Sequence, residues 1–199
     1  MAAGAIAGIA IANNLARLKA GLEAATASWS TLAGRGLVLA QEEVGGFRAA
    51  SGKERPFLQG THGGCAVEVH VRSDLVHYAT TEVTATPPAG ADVVVGLHPS
   101  PGGVLGYLRA WLGQDIEVGD PLFDEQFLVT AKPASAAKQL LDEPMRAHVA
   151  ALVALTGPRF GGLRYTKEAV SVVLLGVETD AAVVGRAVDL ACAAGCWRA

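Results

Sequence analysis

Between Cys65 and Arg72 the chain alternates Cys65, Val67, Val69 and Val71 with Ala66, Glu68, His70 and Arg72. Successive side chains of a strand point to opposite faces, so this run is read as a strand buried on one side and wet on the other. A helix would spread the same valines around its circumference. The cover for the valine face must then come from amphipathic helices elsewhere in the chain.

The first helix is marked by Ile11, Leu15, Leu18, Leu22, Ala25, Trp29 and Leu32, which recur in steps of four and three while Arg17, Lys19 and Glu23 fall off the seam. Such a seam packs on its own sheet or on another subunit, which makes Ile11, Leu15, Leu18, Leu22 and Trp29 candidate interface residues. Ile6 and Ile9 widen its apolar end. The missing Lys/Arg face disfavours contact with a membrane surface, and Met1–Ala12 lacks the basic start of a signal peptide and is too short to span a bilayer before Asn13. The expected organisation is a helical element at 1–36 ending at Gly34–Gly36, an exposed connector at 37–55, and an α+β domain at 56–199.

A second strand is expected over Val76–Thr86. With Ser73-Asp74 as a two-residue turn, Arg72 faces Leu75, Val71 faces Val76, and His70 faces His77 across the ladder. Glu68, His70 and His77 would then share the wet face, close enough to be a candidate metal set, although polar residues on a solvated sheet face are the more ordinary reading. Thr61-His62-Gly63-Gly64-Cys65 supplies the types for a thiol nucleophile with an imidazole base, His62 with Cys65. Cys65 begins the inward face, however, where an inert thiol is the commoner outcome. Cys192 and Cys196, four apart on the last helix, read as small buried residues. Three cysteines without repeated spacing indicate no disulfide framework, hence a reducing, cytoplasmic setting.

Further along, Asp92–His98 reads as an apolar strand. Ser100-Pro101 opens a helix carrying Val104, Leu108, Trp111 and Leu112, and Ser100, Gly102 and Gly103, with His98, form a candidate anion cradle at its start. Asp120 is placed to cap a turn that Pro121 begins; Phe123 and Phe127 share its buried face, with Asp124 on the surface. Helices follow over Ser135–Leu141 and from Asp142-Glu143-Pro144, the latter with Met145, Val149, Leu152 and Leu155 inward and His148 off the stripe. After a turn at 157–162, Leu163–Tyr165 and Ala169–Leu175 make a hairpin whose second strand is expected to be central and covered on both faces. Asp180 or Thr179 caps a last helix, with Val183, Val184, Ala187, Val188 and Ala191 inward, ending near Gly195. Trp197 packs back on the body.

The stretch Gly119-Asp120-Pro121-Leu122-Phe123-Asp124-Glu125-Gln126-Phe127-Leu128-Val129, followed by Leu140-Leu141 and Pro144-Met145-Arg146, has the pattern Gly-Asp-Pro-x-Phe-Asp-x-x-Phe-x-Val. It resembles a widespread set of bacterial proteins of unknown function, which also carry an upstream Pro-x-Leu-x-Gly, here Pro56-Phe57-Leu58-Gln59-Gly60. The resemblance covers about residues 56 to 195. It implies a shared fold and brings no catalytic residues; Asp120, Phe123 and Phe127 are expected as structural core on the capping and spacing given above.

The order of elements implies an α+β fold: a largely antiparallel sheet, a long N-terminal helix and further helices packed on it. A formal charge of −3 and no basic run disfavour nucleic acid. Dinucleotide, P-loop and nucleophile-elbow signatures are missing, and no cofactor is expected. With 51% hydrophobic and 18% charged residues, the expectation is a non-catalytic protein-binding or self-assembly module, with a homo-oligomer or another protein as partner. The alternatives are a peripheral membrane protein held by the first helix, and a small enzyme or metal protein using His70/His77/Glu68 or His62/Cys65.

Overall fold

A computed structural model describes residues 2–43, 54–73, 79–87, 91–100 and 115–197, with side chains of the first helix described from Asn13. Helix α1 spans Ala2–Trp29 and continues into a 3₁₀ turn, Ser30–Arg35, which Gly36 ends in the left-handed region at φ 80°. Strands β1 (Leu37–Glu43), β2 (Glu54–His62), β3 (Cys65–Ser73) and β4 (Ala79–Thr86) follow. Then come β5 (Val94–Pro99), α2 (Pro121–Gln126), β6 (Phe127–Lys132), α3 (Ser135–Leu140) and α4 (Glu143–Thr156). The chain ends with β7 (Phe160–Tyr165), β8 (Val170–Leu175) and α5 (Ala181–Gly195).

The eight strands form one sheet in the order β1-β2-β3-β4-β8-β7-β5-β6, every described pairing antiparallel. This is the α+β architecture that the sequence implies. On the inner face, Val67, Val69, Val83, Val170, Val172, Leu163 and Val95 are buried. Against them lie Val184, Ala187, Val188 and Ala191 of α5, with Val149 and Leu152 of α4 and the last turns of α1. Among the described residues, these helices thus cover one side of the sheet. At one end of the sheet, Asp115 accepts from the Val129 N–H (2.8 Å) and the Ile116 N–H donates to the Val129 carbonyl (2.8 Å), so this segment lies along β6.

The second half of the N-terminal seam is built into this core. Leu22, Ala25, Trp29 and Leu32 are buried, and the Trp29 indole N–H donates to the Glu178 carbonyl (3.0 Å). Leu22 and Trp29 are therefore core residues and not the interface residues considered above. Leu15 and Leu18 are half-buried, Asn13, Asn14 and Arg17 exposed, and the side chain of Ile11 lies outside the described residues.

The expected connector 37–55 is corrected. Leu37–Glu43 and Glu54–His62 pair as an antiparallel hairpin, Leu37 opposite Gly60 and Glu43 opposite Glu54. β1 is the terminal strand of the sheet, its outward Val38 is 61% exposed, and its sequence alternates weakly because little covers it. Gly60 permits the close approach at the start of this pair: a Cβ there would lie 2.1 Å from the Gly36 carbonyl oxygen.

The β3–β4 register also differs from the expectation. Ser73 pairs with Ala79, Val71 with Thr81 and His70 with Glu82, so the connection is longer than the Ser73-Asp74 turn. Period-two alternation fixes the face of a residue but not the offset between strands. β8 is central, between β4 and β7, but it is covered on one face: Ser171 and Val173 are half-buried and Leu175 is 48% exposed. In α4, Leu155 is exposed, and Thr156 is buried in its place, seven residues after Val149 and four after Leu152.

Candidate functional site

The central turn is as the sequence predicts. Asp120 accepts from the backbone N–H groups of Leu122 (3.2 Å) and Phe123 (3.3 Å), Pro121 takes the first helical position, and the buried Phe123 and Phe127 rings lie 4.6 Å apart. Asp120 also pairs with Arg146 of α4 at 3.2 Å. Asp124 is more than a surface residue. It accepts from the Val118 (2.9 Å) and Gly119 (3.1 Å) N–H groups and so folds the approach to the turn. Two open hollows of about 300 Å³ each flank α2, one against Pro99, Ser100 and Phe160, the other against Asp120, Glu143 and Arg146. Of the candidate anion cradle, Ser100 donates its backbone N–H to the Gln126 carbonyl (2.8 Å); Gly102, Gly103 and the helix expected after Pro101 lie outside the described residues.

His70 lies on the solvent face of β3, stacked on Phe57 with ring centroids 5.3 Å apart. Its Nδ1 is 3.3 Å from Glu42 and its Nε2 3.4 Å from Glu68. Across the ladder it meets Glu82, which pairs with Arg72. The His70–His77 pairing is therefore overturned by the register, and His77 itself lies outside the described residues. Among the described residues, no group of three or more His, Cys, Asp or Glu side chains is arranged to hold a metal ion.

His62 and Cys65 face one another across a two-residue turn, Gly63-Gly64, with φ 57° and 84°. Both values belong to the primed turns that match strand twist, and glycine adopts them without strain. The His62 ring is engaged on both nitrogens: Nε2 is 2.9 Å from Asp189 of α5 and Nδ1 is 3.4 Å from the Arg35 carbonyl. Arg35 grips the same Asp189 carboxylate at 2.9 and 3.0 Å. Asp189 thus ties the end of α1's extension and the β2–β3 hairpin to the last helix.

Beside this tie the three cysteines meet. Cys65 Sγ lies 3.9 Å from Cys196 Sγ and 3.9 Å from the Cys192 carbonyl oxygen, and Cys196 Sγ is 3.3 Å from the Gly63 carbonyl. Burial, joined by the neighbouring Cys196 thiol, pushes the Cys65 thiol above its ordinary range. Cys192, buried near Cys65, Cys196 and Asp189, is pushed up to about 12. Burial thus disfavours both thiolates near neutrality, and of the expected His62/Cys65 pair the imidazole is engaged by Asp189 and the Arg35 carbonyl while the thiol meets Cys196.

One buried carboxylate gave no sequence signal. Glu178, 3% exposed, accepts from Arg159 (2.6 Å) and from the Asp180 N–H (2.9 Å), while its own N–H donates to Thr81 Oγ1 (2.8 Å). Ser28 of α1 accepts from the Ala181 N–H beside it (3.1 Å). These bonds make the start of α5 a junction of α1, β4 and the turn after α4.

No known protein family and no curated protein matches the chain. Among solved structures it is similar to the crystal structure of the mycobacterial trehalose monomycolate transport factor A, TtfA. That match has a TM-score of 0.55 and 14% identity, and covers 88% of this chain and 93% of that one. At this identity the likeness is one of fold.

Proposed function

We propose that the chain is a non-catalytic protein-binding module that associates with a second copy of itself through the first half of α1. The observation that carries this reading is the change of environment along that helix. From Leu22 its seam is sealed in the core, whereas Asn13, Asn14, Ala16 and Arg17 are exposed and Leu15 and Leu18 half-buried. Upstream, the helix continues through Ala2–Ala12, a stretch with Ile6, Ile9 and Ile11 and no charged residue. An uncharged, isoleucine-bearing extension of a helix whose far end is anchored is suited to bury itself against a like surface.

The carboxylates agree with a scaffold role. Asp115, Asp120, Asp124, Asp142 and Asp180 each hold backbone N–H groups, and Asp189 and Glu178 join elements. Three unpaired thiols fit a reducing, cytoplasmic setting. Among the described residues no helix is long and apolar enough to cross a membrane.

The test is solution mass by light scattering for the full chain and for one starting at Asn13, which keeps Leu15–Leu32. A dimer that the shortened chain loses supports the reading. Two monomers overturn it, and flotation of the full chain alone with liposomes would then favour membrane-surface attachment by the same stretch.

A further inference from the structure

We infer that Cys65 and Cys196 form a reversible disulfide that straps the β2–β3 turn to the end of α5. Their sulfurs are 3.9 Å apart across a sequence separation of 131 residues, and Cys196 is exposed while Cys65 is buried. The neighbourhood is shaped around these two atoms. A Cβ at Gly195 would come within 3.1 Å of Cys65 Sγ, so glycine at that position leaves the sulfur its room. Cys196 Sγ already reaches over the turn to the Gly63 carbonyl, and bond formation needs the sulfurs to close to about 2.05 Å. Cys196 follows the last residue of α5, at the end of the chain's final helix, where a small shift of one residue disturbs little. Cys192 is the weaker partner for Cys196, because residues four apart on a helix hold their Cβ atoms about 5–6 Å apart, beyond the roughly 3.5–4.5 Å that a disulfide spans.

The co-reactant is a low-molecular-weight disulfide, RSSR. The exposed Cys196 thiolate attacks one sulfur of RSSR, forming the mixed disulfide Cys196–S–SR and releasing RS⁻, which takes up the proton that Cys196 lost. Cys65 then loses its proton and attacks the Cys196 sulfur, forming the Cys65–Cys196 bond and expelling a second RS⁻, which is protonated to RSH. Two protein thiols are oxidised by two electrons, and RSSR is reduced to two RSH. The second step draws on a thiol whose burial disfavours its anion, so closure accelerates with rising pH. Excess small thiol reverses it.

The test uses the full chain incubated with oxidised glutathione, alkylated after denaturation and mapped by mass spectrometry. The expected result is a Cys65–Cys196 peptide within one chain, with alkylatable thiols falling from three to one, that one being Cys192. Cys192→Ser should still close the strap, and Cys196→Ser should abolish it. Cys65→Ser should stop at glutathionylated Cys196; if that buried substitution unfolds the chain, the Cys196→Ser and Cys192→Ser pair decides. A Cys192–Cys196 link, links only between chains, or a wild-type mixed disulfide that persists at alkaline pH would overturn the inference.

Discussion

Replacing Trp29 by phenylalanine separates a core residue from an interface residue. The indole is 0% exposed and donates to the Glu178 carbonyl at 3.0 Å. Phenylalanine removes the donor and leaves a buried carbonyl without that bond, at a cost of about 1–2 kcal/mol. The smaller ring also opens a void of roughly 40 Å³, which at about 24 cal/mol per Å³ adds ~1 kcal/mol. The sum is about 2–3 kcal/mol, equivalent to a loss of roughly 5–10 °C in Tm for a chain of this size. Urea unfolding followed by far-UV circular dichroism measures it, at two protein concentrations a hundredfold apart. The expected shift is independent of concentration. A cost under about 0.5 kcal/mol, or a shift present only where the protein associates, would show that Trp29 is not sealed in its own domain.

Two further predictions follow from the same geometry. Asp124→Ala strips the acceptor from two backbone N–H groups and should cost about 1–2 kcal/mol in urea unfolding, at least as much as Asp120→Ala; an effect near zero would return Asp124 to the surface. For Cys192 the folded chain keeps its proton up to about 12, whereas the unfolded thiol releases it near the ordinary value of 9.0. Its contribution to stability is therefore intact below that ordinary value and is lost as pH rises through the window between the two. Urea midpoints of wild type should fall more steeply over this window than those of Cys192→Ala, and parallel curves would refute the assignment.

What was legible in the sequence was local. Asp120, Pro121, Phe123 and Phe127 fall within eight residues, and Asp142 and Asp180 cap the helices that begin beside them. The alternation from Cys65 gave a strand with the correct buried face. What stayed hidden was distance in sequence. Trp29 meets Glu178 across 149 residues, Arg35 meets Asp189 across 154, and the pattern around either partner has no feature that names the other. β1 was missed because a terminal strand with an exposed outer face need not alternate, and the β3–β4 register because the loop length, not the pattern, sets it. The meeting of Cys65 with Cys192 and Cys196 has no sequence signal, because two of the thiols lie on the last helix and one at the start of a strand 127 residues earlier.

The position of β8 constrains how the molecule is made. β1 to β4 are neighbours in sequence and zip as successive hairpins, but the far edge of β4 pairs only with Val170–Leu175. On the ribosome, that edge waits bare while everything from Pro87 to Ala169 is synthesised, offering an open template to any passing strand. β8 is the keystone: it is the strand that pairs with β4 on one edge and with β7 on the other.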